Sequence, residues 1–305
     1  MRCKFHSTPL AKPPHALLQK NMDANEIPPV MAAPITEAHA PVIARWRWWV
    51  HLLILASFPL SAGLLGVLLS KQPNALLPGT VPGLLRVTAR ELIFFAAIFT
   101  VAWVVSRVNR RQLLLQWRGG AMPFVWGVAY SVGLRLFIMV LAVTAVVFWF
   151  VVKAMLAGGP PHAPEAHAFR PQIENLVDTH ALAASPIYFA LMLTLVSFVL
   201  AGLREELWRA GMLAGINALF PRAMSKLPGQ IGAIIIIAVL FGLAHTTQGL
   251  AGVLVTTALG VGLGAIMVWH RSIWEAVLAH GFFDASTFVF LYVAVKYFPH
   301  QIPGF

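Results

Sequence analysis

The segment SPIYFALMLTLVSFVLAGLREELWRAGML, residues 185–213, determines how the rest of the chain is interpreted. Its first two thirds form an apolar run close to the roughly 20 residues that the hydrocarbon core of a bilayer requires. Directly after this run, Arg204, Glu205, Glu206 and Arg209 place four charges within six positions. Charged groups at membrane depth are costly unless they are paired or have a chemical role. The segment therefore predicts a membrane protein with a polar site inside it.

The composition predicts the same class of protein. Of the 305 residues, 59% are hydrophobic and 11% are charged, and the mean hydropathy is +0.76, whereas a soluble domain has about 25% charged residues. The apolar stretches long enough to cross a bilayer are 48–70, 91–106, 122–156, 185–203, 228–247, 249–269 and 272–297. Because 122–156 is long and carries Arg135, it could be one tilted helix or two pieces. We expect an all-α, polytopic membrane bundle with seven or eight transmembrane helices.

The net charge of +11 is explained by membrane topology rather than by a nucleic-acid partner, because Lys and Arg flank the apolar runs. Basic residues mark three loops as cytoplasmic: Arg107, Arg110, Arg111 and Arg118; Arg222 and Lys226; and His270 with Arg271. The loop at 158–184, with Glu165, Glu174 and Asp178 against Arg170, is expected outside. Short loops and an Ala-rich composition favour a bacterial inner membrane, with the amino terminus in the cytoplasm.

Three regions are predicted along the chain. Residues 1–45 are rich in Pro, Ala and His and are expected to be a disordered tail, in which Met22 is a candidate for the true start. Residues 46–184 hold the amino-terminal transmembrane helices and the external loop, and 185–299 form the functional core. Cys3 is the only cysteine, so any chemistry must come from Glu, His, Asp or hydroxyl groups.

Ionisable residues in the carboxy-terminal half are few and fall at compatible depths. With a cytoplasmic turn between 219 and 228, Glu205 lies roughly 21 Å before the turn and His245 roughly 26 Å after it, at 1.5 Å per residue. His280 lies about 13 Å beyond the next turn, with Asp284 one helical turn deeper. His280 is thus shallower than Glu205 and His245, and kinks at Gly202, Gly211 or Gly281 would let the four groups converge inside the bundle. Glu275, near a helix start and four residues after Arg271, is expected to be an ordinary interfacial acid.

The side-chain types of this cluster suit hydrolysis. A buried carboxylate can activate water, and imidazoles can share its proton or donate to a developing oxyanion. Three motifs carry these groups in order: EELWRAG at 205–211, FGLAH at 241–245 and HGFFD at 280–284. Together they resemble the signatures of the CPBP family, the CAAX protease and bacteriocin-processing (Abi) family, which includes the type II CAAX prenyl endopeptidase. The resemblance covers about 185–297.

The resemblance implies an all-helical intramembrane endopeptidase acting on a membrane-associated peptide or protein. It makes Glu205 the general base and His245 its partner, and it places His280 and Asp284 on the oxyanion side. Glu206 is then structural and pairs with an arginine of its own helix.

Two positions depart from the family pattern. The family arginine usually stands four residues after the second glutamate, where this chain has Ala210, and Arg209 comes one residue early. Arg209 is i+3 from Glu206 and i+4 from Glu205, and both spacings allow pairing. We expect Arg209 to hold Glu206 and to leave Glu205 unpaired. Alignment on the arginine instead would put Arg204 in the place of the first glutamate and predict an inactive enzyme. The second departure is Asp284, which replaces the Asn of the prenyl enzyme.

Other functions stay open at the level of sequence. A metal-dependent mechanism would use Glu205 or Glu206 with His245 and His280, and Asp284 as a further ligand, a set that suits zinc. The remaining glutamate would then be the base. The usual His-Glu-x-x-His helix is absent from the sequence. A non-catalytic member, in bacteriocin immunity or as a membrane scaffold, and a proton-coupled transporter are the alternatives to a protease.

Overall fold

The computed structural model describes residues 43–69, 75–117, 119–157 and 170–298. Nearly all of the predicted tail, including Met22, lies outside the described residues, as do Arg118 and Glu165. The predicted boundaries at 45/46 and 184/185 stay predictions.

The described part of the chain is helical and contains no β-strand. Its helices, numbered in chain order, are α1 (Arg45–Leu69), α2 (Val81–Ser106), α3 (Met122–Ala157), α4 (Thr179–Ala184), α5 (Pro186–Leu219), α6 (Pro221–Met224), α7 (Leu227–Leu243), α8 (Gly249–His270) and α9 (Trp274–Tyr297). Short 3₁₀ turns at Ile173–Asn175 and Thr246–Gln248 precede α4 and α8.

The predicted class, an all-α polytopic membrane bundle, is confirmed. Among the described residues, α2, α3, α5, α8 with its preceding turn, and α9 are long and apolar enough to cross a membrane. The 25-residue α1 and the shorter apolar α7 occupy two further predicted stretches. The 122–156 stretch lies within one continuous helix of 36 residues. The total of seven or eight spans stays a prediction.

Helix α5 carries the charged segment, and it is longer than the predicted 185–203. It begins where the Ser185 hydroxyl oxygen accepts a hydrogen bond from the Tyr188 backbone N–H at 3.3 Å, with a proline in its first turn. It continues through a π-helical segment, Met192–Leu203, and ends at Leu219. Glu205 and Glu206 therefore lie within a helix of 34 residues rather than at the end of one.

The other helices enclose this part of α5. Helix α9 packs closely against it at Gly202, where an added Cβ would lie 2.9 Å from the Val277 carbonyl oxygen. Helix α1 lies on another side, where the buried His51 ring bonds to the carbonyl oxygens of Ala102 in α2 and Gly211 in α5, at 3.0 and 2.9 Å. These contacts place the charged segment in the interior of the bundle.

Candidate active site

The two glutamates follow directly after the π-helical segment of α5. Within that segment, the buried Ser197 hydroxyl donates a hydrogen bond to the Met192 carbonyl, five residues earlier, at 2.8 Å. π-Helical segments are rare and often occur at functional sites, because they change which face of the helix the following residues occupy. The face on which Glu205 and Glu206 lie therefore depends on this local winding.

Glu206, Arg209 and His280 form a buried inner cluster, with side chains at most 3% exposed. The Arg209 guanidinium forms an ion pair with Glu206 Oε1 and lies 4.8 Å above the centroid of the Phe241 ring. His280 Nδ1 lies 3.0 Å from the same oxygen. Because a carboxylate only accepts hydrogen bonds, Nδ1 carries the proton in this bond. Glu206 is thus held by two partners from two helices.

Glu205 is more accessible, and its expected unpaired state is wrong. Its Oε1 accepts a hydrogen bond from Arg204 Nη2 at 2.7 Å, and its side chain is 13% exposed. Arg204 Nη1 also lies 3.7 Å from Glu91 Oε2 of α2. Helical spacing indicated only Arg209 as a partner of Glu205, but the Arg204 side chain turns toward α2 and lies near the carboxylates of both Glu205 and Glu91.

His280 connects the first and third motifs. Its second ring nitrogen, Nε2, lies 3.8 Å from Glu205 Oε2 and 3.8 Å from Asp284 Oδ2. Both distances are too long for a direct hydrogen bond, but they suit a water molecule that bridges two polar groups. The structure therefore brings the carboxylates of Glu205, Glu206 and Asp284 together around the imidazole ring of His280.

His245 lies in the turn after α7, beside the same cluster. Its Nδ1 donates to the Phe241 carbonyl oxygen at 2.9 Å, which leaves Nε2 as an acceptor when the ring is neutral. The Phe241 ring lies between the two histidines, with centroid distances of 4.7 Å to His245 and 6.1 Å to His280. The Phe241 ring, which also lies under the Arg209 guanidinium, therefore connects His245 to the inner cluster.

A third cation, Arg135 of α3, adjoins the cluster and had no assigned role in the sequence analysis. Its Nη2 donates to the Phe283 carbonyl oxygen, the Ser286 hydroxyl and the Thr287 hydroxyl, at 2.6, 2.6 and 3.0 Å. Phe283 directly precedes Asp284, so Arg135 bonds to α9 next to the aspartate of the third motif. The sequence signal was an arginine inside a long apolar helix, which is expected to have a partner there.

Glu275 differs from the expected interfacial acid. Its side chain is only 6% exposed, and Oε1 lies 3.9 Å from His270 Nδ1. The chain just before α9 packs against the 107–117 loop, with Ile273 N–H donating to the Leu114 carbonyl at 3.1 Å, and both Ser272 and Ile273 are buried.

The candidate zinc ligands do not converge as a metal centre. Within the described ranges, no group of three or more His, Cys, Asp or Glu side chains is arranged to hold a metal ion. Glu206 and His280 Nδ1 are bonded to each other, and Arg209 occupies the same glutamate oxygen. A tetrahedral zinc site would need these atoms directed at one point instead.

The fold and this cluster define a class: an integral membrane protein with carboxylates and imidazoles gathered within its helical bundle. Residues 186–286, about a third of the chain, match the family model described as type II CAAX prenyl endopeptidase, Rce1-like. This match contains all three motifs, confirms the resemblance to the CPBP family and suggests a protease. Neither a curated protein nor a solved structure matches the chain.

Proposed function

We propose that the protein is an intramembrane endopeptidase that hydrolyses a peptide bond of a membrane-associated peptide or protein. The observation that carries this proposal is the position of His280, whose two nitrogens face Glu206 and Glu205 of a different helix. We place the protein in a bacterial inner membrane with a cytoplasmic amino terminus, because the loops are short and the basic residues flank the spans.

The two glutamates have different roles in this proposal. Glu206 is fully buried and held by Arg209 and His280, so it orients the imidazole. Glu205 is partly accessible, and only its Oε1 is bonded to Arg204. Its Oε2 is directed toward His280 and keeps lone pairs that can accept a proton from water. The ion pair with Arg204 fixes the orientation of this carboxylate.

The attacking water binds between Glu205 Oε2 and His280 Nε2. A separation of 3.8 Å lets one water molecule bond to both atoms. Glu205 removes a proton from this water, which attacks the carbonyl carbon of the peptide bond and forms a tetrahedral intermediate. When the intermediate collapses, the C–N bond breaks and Glu205 returns this proton to the leaving amine nitrogen. The neutral His245 offers an acceptor nitrogen on the same side and assists Glu205 in taking up the proton.

The oxyanion that forms on the substrate needs hydrogen-bond donors. Carboxylates face both nitrogens of His280, and only the imidazolium form can donate from both. As the water attacks, the single Nε2–H of His280 shifts from the water to the developing oxyanion, while Asp284 and Arg135 hold the position of His280 from the third motif and from α3. Preorganised donors of this kind contribute about 2.7–4 kcal/mol each to transition-state stabilisation.

The decisive experiment compares peptide cleavage by the wild type and by the Glu205→Gln variant in reconstituted membranes. The substrate probes are a quenched fluorescent peptide ending in a prenylated Cys-aliphatic-aliphatic-X sequence and the same peptide without the prenyl group. We expect Glu205→Gln to lower the cleavage rate by about 10²–10⁴-fold, the usual contribution of a general base, with the fold unchanged. Glu174→Gln, which alters an exposed ion pair with Arg170, is the matched control.

Each other outcome contradicts part of the proposal. Undiminished cleavage by Glu205→Gln removes the general-base role from Glu205. Cleavage that a chelator abolishes and zinc restores favours the metal-dependent mechanism.

Proteomics of the peptides that are lost in cells carrying Glu205→Gln extends the search for substrates beyond the two probes. If neither the probes nor the cellular proteome is cleaved in a Glu205-dependent manner, a non-catalytic function takes precedence over the protease.

A further inference from the structure

An open pocket on the protein surface lies at the end of α2, and it shares no residue with the candidate active site. Its volume is about 830 Å³, and it is lined by Phe99, Thr100, Trp103, Val104, Arg107, Val108, Asn109, Arg110, Leu113 and Leu115. Because α2 ends at Ser106 and is long enough to cross the membrane, the pocket lies at the level where a span meets the headgroups.

One part of this pocket is lined by apolar side chains. Phe99, Val104 and Leu115 line it together with Trp103, whose ring is half-exposed. The Trp103 Nε1–H donates to the Val108 carbonyl oxygen at 2.9 Å, which holds the indole against the loop. Tryptophan is enriched at this level of a membrane, where one end of the ring is apolar and the other is hydrated. This surface suits an acyl chain.

Another part of the pocket is basic. Arg107 and Arg110 both line it and are exposed, and no carboxylate is among the lining residues. Arg47 of α1 adds a third positive charge at the edge, with Nη2 3.3 Å from the carbonyl oxygen of Val104. Three guanidinium groups near one apolar pocket favour a ligand with an acyl chain and a negatively charged headgroup.

The loop that carries the arginines is ordered by its own hydrogen bonds. The Asn109 side-chain oxygen accepts from the backbone N–H groups of Arg111 and Gln112 at 3.0 and 2.9 Å. The Gln112 side-chain oxygen accepts from Asn109 N–H at 2.9 Å. The basic rim is therefore held in position by the loop itself, so binding requires little ordering of this backbone.

Arg107 also occupies a backbone conformation that normally favours glycine. It ends α2 in the left-handed region, with φ 53° and ψ 33°, and its N–H donates to the Trp103 carbonyl oxygen. Glycine is the usual residue at this position because it has no Cβ penalty there. An arginine at this position places a positive charge on the pocket rim at a cost in backbone energy.

We propose that this pocket binds an anionic phospholipid, with the headgroup phosphate between Arg107 and Arg110 and an acyl chain along Trp103 and Val104. General membrane topology explains basic residues at the end of a span. It does not explain why the basic, ordered rim borders an open pocket lined by Phe99, Trp103, Val104 and Leu115. This proposal is independent of the protease function, because the lining residues and the candidate active site are separate sets.

The test is native mass spectrometry of the full chain released from nanodiscs of equal phosphatidylglycerol and phosphatidylcholine content. We expect the wild type to retain phosphatidylglycerol in several-fold preference. Arg107→Gly should abolish most of this preference without lowering the Tm, because glycine suits the left-handed position. Arg110→Gln should reduce the preference in the same direction.

The matched control is Arg271→Gly, which removes the same charge from the same left-handed position at the end of α8 and does not line the pocket. It should keep the preference for phosphatidylglycerol. An unchanged preference in Arg107→Gly, or an equal loss in Arg271→Gly, overturns the proposal. Displacement of the lipid by millimolar inorganic phosphate also overturns it, because the site would then belong to a free anion.

Discussion

Glu205 and Glu206 are neighbours in the sequence, but they lie in different surroundings. Their replacement is therefore expected to change the free energy of unfolding by different amounts. Glu206 is the buried partner of Arg209, whose guanidinium is 1% exposed. Replacement of Glu206 by Ala leaves this cation buried without its counter-charge, which costs about 3–5 kcal/mol. We expect the free energy of unfolding to fall by this amount, as measured by chemical unfolding of the purified protein in micelles.

Glu205→Ala is the matched control for this prediction. Its partner Arg204 is 14% exposed and also lies near Glu91, so it keeps an alternative partner when Glu205 is removed. We expect Glu205→Ala to lose less than half of the stability that Glu206→Ala loses. Equal losses, or a larger loss for Glu205→Ala, would contradict the assignment of the structural role to Glu206.

At the scale of residues, the sequence predicted interactions within one helix better than those between helices. The i,i+3 spacing admitted the Glu206–Arg209 pair that the structure contains. The Arg204–Glu91 and Arg135–Phe283 contacts join residues more than 100 positions apart, and no local spacing indicates them. The rise per residue along antiparallel helices predicted the depth of His280 and Glu205 in the membrane only approximately. It did not predict which side of each helix faces its neighbour, because that depends on tertiary packing.

At the scale of elements, the close approach of α5 and α9 determines whether Glu206 reaches His280. A Cβ at Gly202 would lie 2.9 Å from the Val277 carbonyl oxygen and 3.1 Å from that of Ser197. Both atoms belong to the backbone and cannot rotate away. Gly202→Ala should therefore separate the two helices, lower the free energy of unfolding by about 1–3 kcal/mol and reduce cleavage.

Gly232→Ala in α7 is the control for this steric effect, because its added Cβ would have no other heavy atom within 4 Å besides the adjacent residues and the nearby backbone of α7 itself. Alanine there should keep stability or raise it by about 0.5–1 kcal/mol, the usual difference between alanine and glycine inside a helix. Thermal unfolding and the peptide assay check both variants. A Gly202→Ala variant with wild-type stability and activity would show that the approach of α5 and α9 tolerates an added methyl group.

The elements themselves were largely predictable, because apolar runs of sufficient length become helices in a bilayer. The continuation of α5 to Leu219 and its π-helical segment were not part of the prediction. Hydropathy falls at Arg204, which suggested an end of the span, but the charged residues are paired within the bundle and the helix continues. The widening at Met192–Leu203 has no local sequence signal that we can identify.

At the scale of the whole molecule, the segment that matches the family model does not contain the complete surroundings of the site. Glu91 comes from α2, and Arg135 comes from α3, which packs along α9. Helix α1 is joined to α5 through the Trp208 Nε1–H bond to the Leu55 carbonyl oxygen, at 2.8 Å. The first half of the chain therefore completes a site whose motifs all lie in the second half.

This division predicts how the protein behaves when its chain is cut within residues 158–169. We expect neither fragment to cleave peptide when it is expressed alone, and the two fragments expressed together to copurify and recover cleavage. Recovery should weaken when the first fragment carries Arg135→Leu, since this change removes three hydrogen bonds from α3 to α9. Affinity purification through a tag on one fragment, followed by the peptide assay, measures both effects. Full activity of the second fragment alone would show that α1, α2 and α3 are not needed to form the site.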